Sequence, residues 1–186
     1  MSIPETLRRI VATLDGTGIA HMLTGSFASA HYGVPRSTQD IDIVIEATDS
    51  QLRNFVCSLD RTRYYAELDT ALEAHRRESL FNVIDTETGW KIDLIIRKDR
   101  PFSREEFGRR QLVQELSVFV ASPEDVIVAK LEWAKLGGSQ RQIEDAAAIM
   151  RIQGDTLDKS YLEKWISELE LSDQWMFARR SAGLSN

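Results

Sequence analysis

A single cysteine, Cys57, is all the thiol in this chain of 186 residues. One thiol closes no disulfide framework and supplies no multi-thiolate zinc site. Long apolar runs are missing too: nowhere do about eighteen apolar residues stand together. The start, Met1-Ser2-Ile3-Pro4-Glu5, has neither the basic residues nor the apolar stretch of a secretory leader. The expectation is a cytoplasmic protein with no membrane partner. Positive charge is also short, with 23 Lys and Arg against 29 Asp and Glu and a net charge of -6. That balance excludes coating of nucleic acid by bulk electrostatics and leaves room for a local basic patch. His21, His31 and His75 lack the short repeat of metal ligands on one element and read as surface or core-edge residues. There is no internal repeat, low-complexity stretch or flexible linker.

What is present supports a real core, since 42% of the residues are hydrophobic. The chemistry concentrates between Leu23 and Glu46. In Asp40-Ile41-Asp42-Ile43-Val44-Ile45 the strand period of two puts Asp40 and Asp42 on one face and the isoleucines on the other. Neighbouring carboxylates repel unless they are solvated or share a cation, and hard oxygens at this spacing suit Mg2+. Upstream, Gly25-Ser26 stands between the apolar run Ile19 to Leu23 and a short helix over Phe27 to Tyr32. A strand, tight turn and helix N-terminus allow close approach of backbone amides to a phosphate. Gly33 and Pro35 end that helix, and Arg36 offers a cation to the same phosphates. The bland alternatives are a solvated edge strand and an ordinary turn.

Taken together, Gly25-Ser26 and the later Arg36-x-Thr38-x-Asp40-x-Asp42 resemble the signature of the DNA polymerase beta-type nucleotidyltransferases, in the small bacterial AbiEii-like, type IV toxin-like branch. The resemblance implies a third carboxylate on a later strand, and Asp93 in Trp90-Lys91-Ile92-Asp93-Leu94-Ile95-Ile96 fills that place. Lys91, two residues back on the same face, is an alternative partner for Asp93. On a central strand Lys91 would instead reach solvent, leaving a carboxylate in need of a cation. The resemblance also implies that Lys130, in Ala129-Lys130-Leu131-Glu132-Trp133-Ala134, reaches the triphosphate. The chain departs from the branch at Glu144-Asp145, where Arg-Asp is usual, which leaves a positioning role for Asp145 open.

The remaining pattern predicts the frame. A helix starts at Pro4 and Glu5, carries Leu7, Ile10, Val11 and Leu14, and ends at Asp15-Gly16. Asp49-Ser50 caps a helix over Gln51 to Leu59, and another helix runs from about Glu67 to Arg76. Strands over Leu80 to Ile84 and Trp90 to Ile96 form a hairpin carrying Asp93. A short helix over Phe102 to Phe107 precedes strands over Gln111 to Gln114 and Leu116 to Ala121 near the sheet edge. From Ser122-Pro123 onward the chain is helical: to about Lys135, then Gln140 to Gln153, Leu157 to Glu168 and Ser172 to Arg180. Trp133, Trp165 and Trp175 read as core. Arg97 and Lys98, closing the Asp93 strand, mark a place for an anionic acceptor.

The expected fold is α+β: a nucleotidyltransferase-like mixed sheet flanked by helices, with residues 1–121 as catalytic core and 122–186 as a helical cap packed on it. The resemblance implies two Mg2+ ions on Asp40, Asp42 and Asp93, and NTP phosphates held by Gly25, Ser26, Arg36, Thr38 and Lys130. It further implies a general-base role for Asp93 and transfer of an NMP to a hydroxyl of RNA, such as a tRNA end, or of a protein, with a cognate antitoxin as partner. Two other readings stand beside it. The acidic composition suits an enzyme that modifies cationic antibiotics or other small molecules, and a non-catalytic member would bind only nucleotide or a partner.

Overall fold

The computed structural model describes residues 4–184, so Met1 to Ile3 of the leader reading lie outside the described residues. By contacts, these divide into two compact units. One comprises the residues up to Thr24 with Ser37–Val120, and the other comprises Gly25–Arg36 with Ala121 onward.

In the first unit the elements are α1 (Glu5–Gly16), β1 (Ala20–Leu23), β2 (Asp40–Glu46), α3 (Asp49–Ser58), β3 (Tyr64–Tyr65), α4 (Leu68–Arg76), β4 (Leu80–Asp85), β5 (Lys91–Ile96), α5 (Pro101–Gly108), β6 (Gln111–Val113) and β7 (Val118–Val120), while α2 (Gly25–Tyr32) belongs to the second unit. The strands form one sheet in the order β3-β4-β5-β2-β1-β7-β6. It is mixed: β2 runs antiparallel to β1 and parallel to β5. Leu7, Ile10, Val11 and Leu14 of α1 are buried, as their helical spacing predicts, and so are Ile41, Ile43 and Ile45 of β2.

Local chemistry explains most boundaries. The cap of α3 is Thr48 rather than Asp49 or Ser50: its hydroxyl accepts from the Gln51 amide while the Gln51 side chain accepts from the Thr48 amide. That reciprocal pair satisfies two amides that no helical carbonyl can reach. The two-residue β3 carries no periodic signal and was not anticipated. The β4–β5 turn is pinned by Asp85, a fully buried acid whose carboxylate accepts from Thr6, from Arg63 at 2.9 Å, and from the Glu87 and Thr88 amides.

The second unit joins α2 to α6 (Pro123–Gly137), α7 (Gln140–Gln153), α8 (Lys159–Glu168) and α9 (Ser172–Ser181). Ser122 caps α6 by accepting from the Asp125 amide, and Gly138 ends the helix at φ 60°. A 3-10 turn over Gly154–Thr156 follows α7. Asp158 then caps α8, later than the expected start at Leu157, which is extended. Helix α2 buries Phe27, Ala28, Ser29 and Ala30. Close approach governs Gly33, where a Cβ would lie 2.9 Å from the Ser29 carbonyl oxygen and 3.2 Å from Ile149. Trp165 is core at 2% exposure, but Trp133 is 57% exposed and Trp175 half-buried. Helix α6 is apolar almost all round, so spacing alone did not select the face that Ile127, Leu131 and Ala134 bury. No helix among the described residues is long and apolar enough to cross a membrane.

Candidate active site

On β2, β4 and β5 one face is packed and the other accessible, because each strand alternates buried with partly or fully exposed side chains. Register arranges the open face in rows across neighbouring strands. Tyr65, Ile84, Lys91 and Asp40 form one row, and Asn82, Asp93 and Asp42 the next. Asp42 and Asp93 stand directly opposite one another on parallel strands, at the usual spacing of about 4.8 Å. Asp40 lies two residues before Asp42, on the same face. The three predicted carboxylates are thus laid out side by side by backbone pairing alone. Thr38 sits just ahead of them, its hydroxyl accepting from the Asp40 amide at 3.2 Å.

Like charges at this spacing need a counter-ion, and Lys91 provides it. Its ammonium lies 3.1 Å from Asp93 Oδ2 and 3.4 Å from Asp40 Oδ1. The expectation that Lys91 on a central strand would reach solvent holds only in part: β5 is central and the side chain is partly exposed, yet the ammonium turns back to the acids. Burial pulls the Lys91 ammonium down, but the Asp93 hydrogen bond and the charges of Asp93 and Asp40 outweigh it and leave its pKa raised. The other Asp93 oxygen, Oδ1, accepts from the Asn82 side-chain Nδ2 at 2.5 Å. Sequence reading missed Asn82, whose role follows only from its register with Asp93. Arg97 is paired with Glu46 at 2.7 Å, so it is not an open cation for an acceptor.

A cation shared by Asp40 and Asp93 shows what this face accommodates. The three carboxylates offer hard oxygens, the ligand chemistry that Mg2+ takes. Among the described residues no three acidic, histidine or cysteine side chains are grouped closely enough to hold a metal ion. Asp40 and Asp93 are gathered on the Lys91 ammonium instead.

The predicted phosphate-binding residues, apart from Thr38, lie in the second unit. Gly25 opens α2 at φ 61°, in the left-handed region that glycine reaches without strain. It is the first residue of the helix and Ser26 the second. The Ser26 hydroxyl accepts from Arg36 Nη2 at 2.5 Å. Arg36 also forks onto Asp145, with Nε 3.2 Å from Oδ1 and Nη2 3.1 Å from Oδ2. Lys130, only 4% exposed, donates to Asp145 Oδ2 at 2.8 Å. One acid therefore organises both predicted cations. Burial pushes the Asp145 carboxyl up, but hydrogen bonds and charge from Lys130 and Arg36 outweigh it and hold its pKa below the ordinary value. The signal for Asp145 was available: Gly137-Gly138-Ser139 is a short break, short breaks join antiparallel helices, and a lysine on a packed face needs a nearby acid.

No family model matches the sequence, and no curated protein matches it. Solved structures do. The antibiotic-resistance factor ANT(2'')-Ia, in complex with adenylyl-2''-tobramycin, is similar with a TM-score of 0.57 at 14% identity, over 89% of this chain and 95% of that one. Its solution structure matches with a TM-score of 0.53 at 15% identity, over 92% and 91%. An antigenic nucleotidyltransferase-like protein from Paracoccidioides brasiliensis matches with a TM-score of 0.50 at 14% identity, over 91% and 89%. At these identities the likeness is one of fold: a mixed sheet flanked by helices, of nucleotidyltransferase type.

Proposed function

We propose that this chain of nucleotidyltransferase fold is a Mg2+-dependent enzyme that moves an NMP from an NTP to a hydroxyl acceptor. The observation that carries the reading is the β2–β5 register, which sets Asp42 opposite Asp93 with Asp40 on the same face. A module that only binds has no need of three repelling carboxylates.

Asp40, Asp42 and Asp93 would hold Mg2+, which when bound supplies Lewis-acid polarisation of the phosphates and of the attacking hydroxyl. The resemblance assigns the phosphates to Ser26, Arg36 and Lys130, whose donors and charge would offset that developing on the departing oxygen. Asp145 keeps Arg36 and Lys130 oriented for that work. The acceptor oxygen forms a bond to the α-phosphorus while the bond from that phosphorus to the oxygen bridging to the β-phosphate breaks, and pyrophosphate leaves. Asp93, tethered by Asn82, takes the acceptor proton.

For the acceptor we favour a nucleic acid end, in keeping with the resemblance to the AbiEii-like branch. Tyr65, Leu80 and Ile84 are exposed on the same face as the carboxylates. The Tyr65 ring suits stacking with a nucleobase, with Leu80 and Ile84 as apolar surface on the same face. The Tyr65 ring is steadied by the hydrogen bond its hydroxyl donates to Glu67. A cognate antitoxin rests on the resemblance alone. The second reading, modification of a cationic antibiotic, is favoured by the likeness to ANT(2'')-Ia, whose complex holds adenylyl-2''-tobramycin, and by the acidic balance.

Incubation with Mg2+, each α-labelled NTP and a total cell lysate or tobramycin tests this. Transfer to RNA by the wild type, reduced on the order of 1000-fold in Asp42→Ala, is the expected result. Asp42 stands on the accessible face, so the variant should melt within a few degrees of the wild type. Label on tobramycin alone supports the second reading, and no label on RNA, protein or any small molecule with any NTP refutes transfer.

A further inference from the structure

The mechanism gives Lys91 no part, yet it occupies the centre of the carboxylate face. Both Asp93 oxygens are engaged: Oδ1 by Asn82 at 2.5 Å and Oδ2 by the Lys91 ammonium at 3.1 Å. The same ammonium reaches Asp40 Oδ1 at 3.4 Å. A divalent ion held by Asp40 and Asp93 would need the oxygens that this ammonium holds. A lysine ammonium and a divalent ion repel at such separations, so the two exclude one another. The arrangement also permits exchange, because Lys91 is 43% exposed on a four-carbon stem with Ile84 beside it in the row. Asn82 stays in place meanwhile, keeping Asp93 aimed.

We propose that Lys91 is a place-holding counter-ion: it gathers Asp40 and Asp93 until a divalent cation displaces its ammonium, and so sets how tightly the site takes metal. The inference rests on the reading of Asp40, Asp42 and Asp93 as metal ligands, and deepens it. Lys91 acts here as a positioning residue. Without it the acids repel more strongly, and a divalent ion gains more by entering.

The test is Mg2+ calorimetry and Mn2+ paramagnetic resonance on the full chain without nucleotide, comparing the wild type with Lys91→Met and Lys91→Gln. Expected is metal affinity raised about tenfold in both variants, a lower melting temperature without metal, and a larger rise in melting temperature on adding Mg2+. In the wild type, the 13Cε signal of Lys91, assigned by its loss in Lys91→Arg, should move with Mg2+ along the calorimetric isotherm. This readout does not depend on the folding of any uncharged variant. Equal or weaker binding in folded variants, or a Lys91 signal indifferent to bound Mg2+, overturns the place-holder while leaving the metal site standing. Absence of divalent binding in every protein, wild type included, overturns the metal reading itself.

Discussion

Asp145 shows how one acid can determine what two bases do. Lys130 is nearly buried, and an ammonium in the interior is costly without a carboxylate. Arg36 donates to the same carboxylate and to Ser26. Replacing Asp145 by Asn keeps the shape and removes the charge, so it should cost about 3 kcal/mol at neutral pH and weaken triphosphate binding. The pH dependence has a definite sign. The folded-state pKa of Asp145 lies below its ordinary value of 3.8. Its contribution is therefore present above that value and is lost as pH falls through the depressed one. Melting temperatures of wild type and Asp145→Asn, measured from pH 7 downward, should converge in acid; a gap that persists unchanged would refute the ion-pair account.

The β4–β5 hairpin carries Asp93 and Asn82, and its geometry hangs on Asp85. Burial would raise the Asp85 pKa, but hydrogen bonds from Thr6, Arg63 and Thr88 outweigh it and bring it down to about 2. Set against 3.8 for an ordinary aspartate, the shift corresponds to about 2 kcal/mol of stability. That share is present above pH 4 and lost as the pH falls toward 2. Asp85→Asn should give it up at neutral pH, with denaturant midpoints the measure. Hydrogen exchange should show β4 and β5 losing protection first, since the acid ties their turn to Thr6 of α1 and to Arg63. Uniform loss of protection across the sheet would count against a local role.

At the scale of the whole molecule, chain order and contacts divide differently. Helix α2 lies early in the chain, yet it packs with α6 and α7. A fragment ending at Val120 therefore leaves Phe27, Ala28 and Ala30 without the helices that bury them. It should be poorly soluble or loosely packed, with collapsed amide dispersion in an NMR spectrum. A cooperatively folded fragment would show that α2 needs no such partner.

Much of the fold was legible because period and capping are local. The strand over Asp40 to Ile45, the helix beginning after Ser122 and the hairpin bearing Asp93 all follow from side-chain alternation, caps and turn residues within a few positions of each other. The candidate carboxylates and cations were legible for the same reason, as spaced charges in apolar surroundings. Their partners were not. Lys91 bridging Asp40 and Asp93, Asn82 tethering Asp93, and Asp145 serving both Arg36 and Lys130 join residues on different elements, 109 positions apart for Arg36 and Asp145. The sequence by itself determined which chemical groups are present and, on elements with a clear apolar period such as β2 and α1, on which face they stand, since that depends on bonds a few residues long. Only the tertiary structure decided which charges meet, because strand register and helix packing join groups that chain proximity never does.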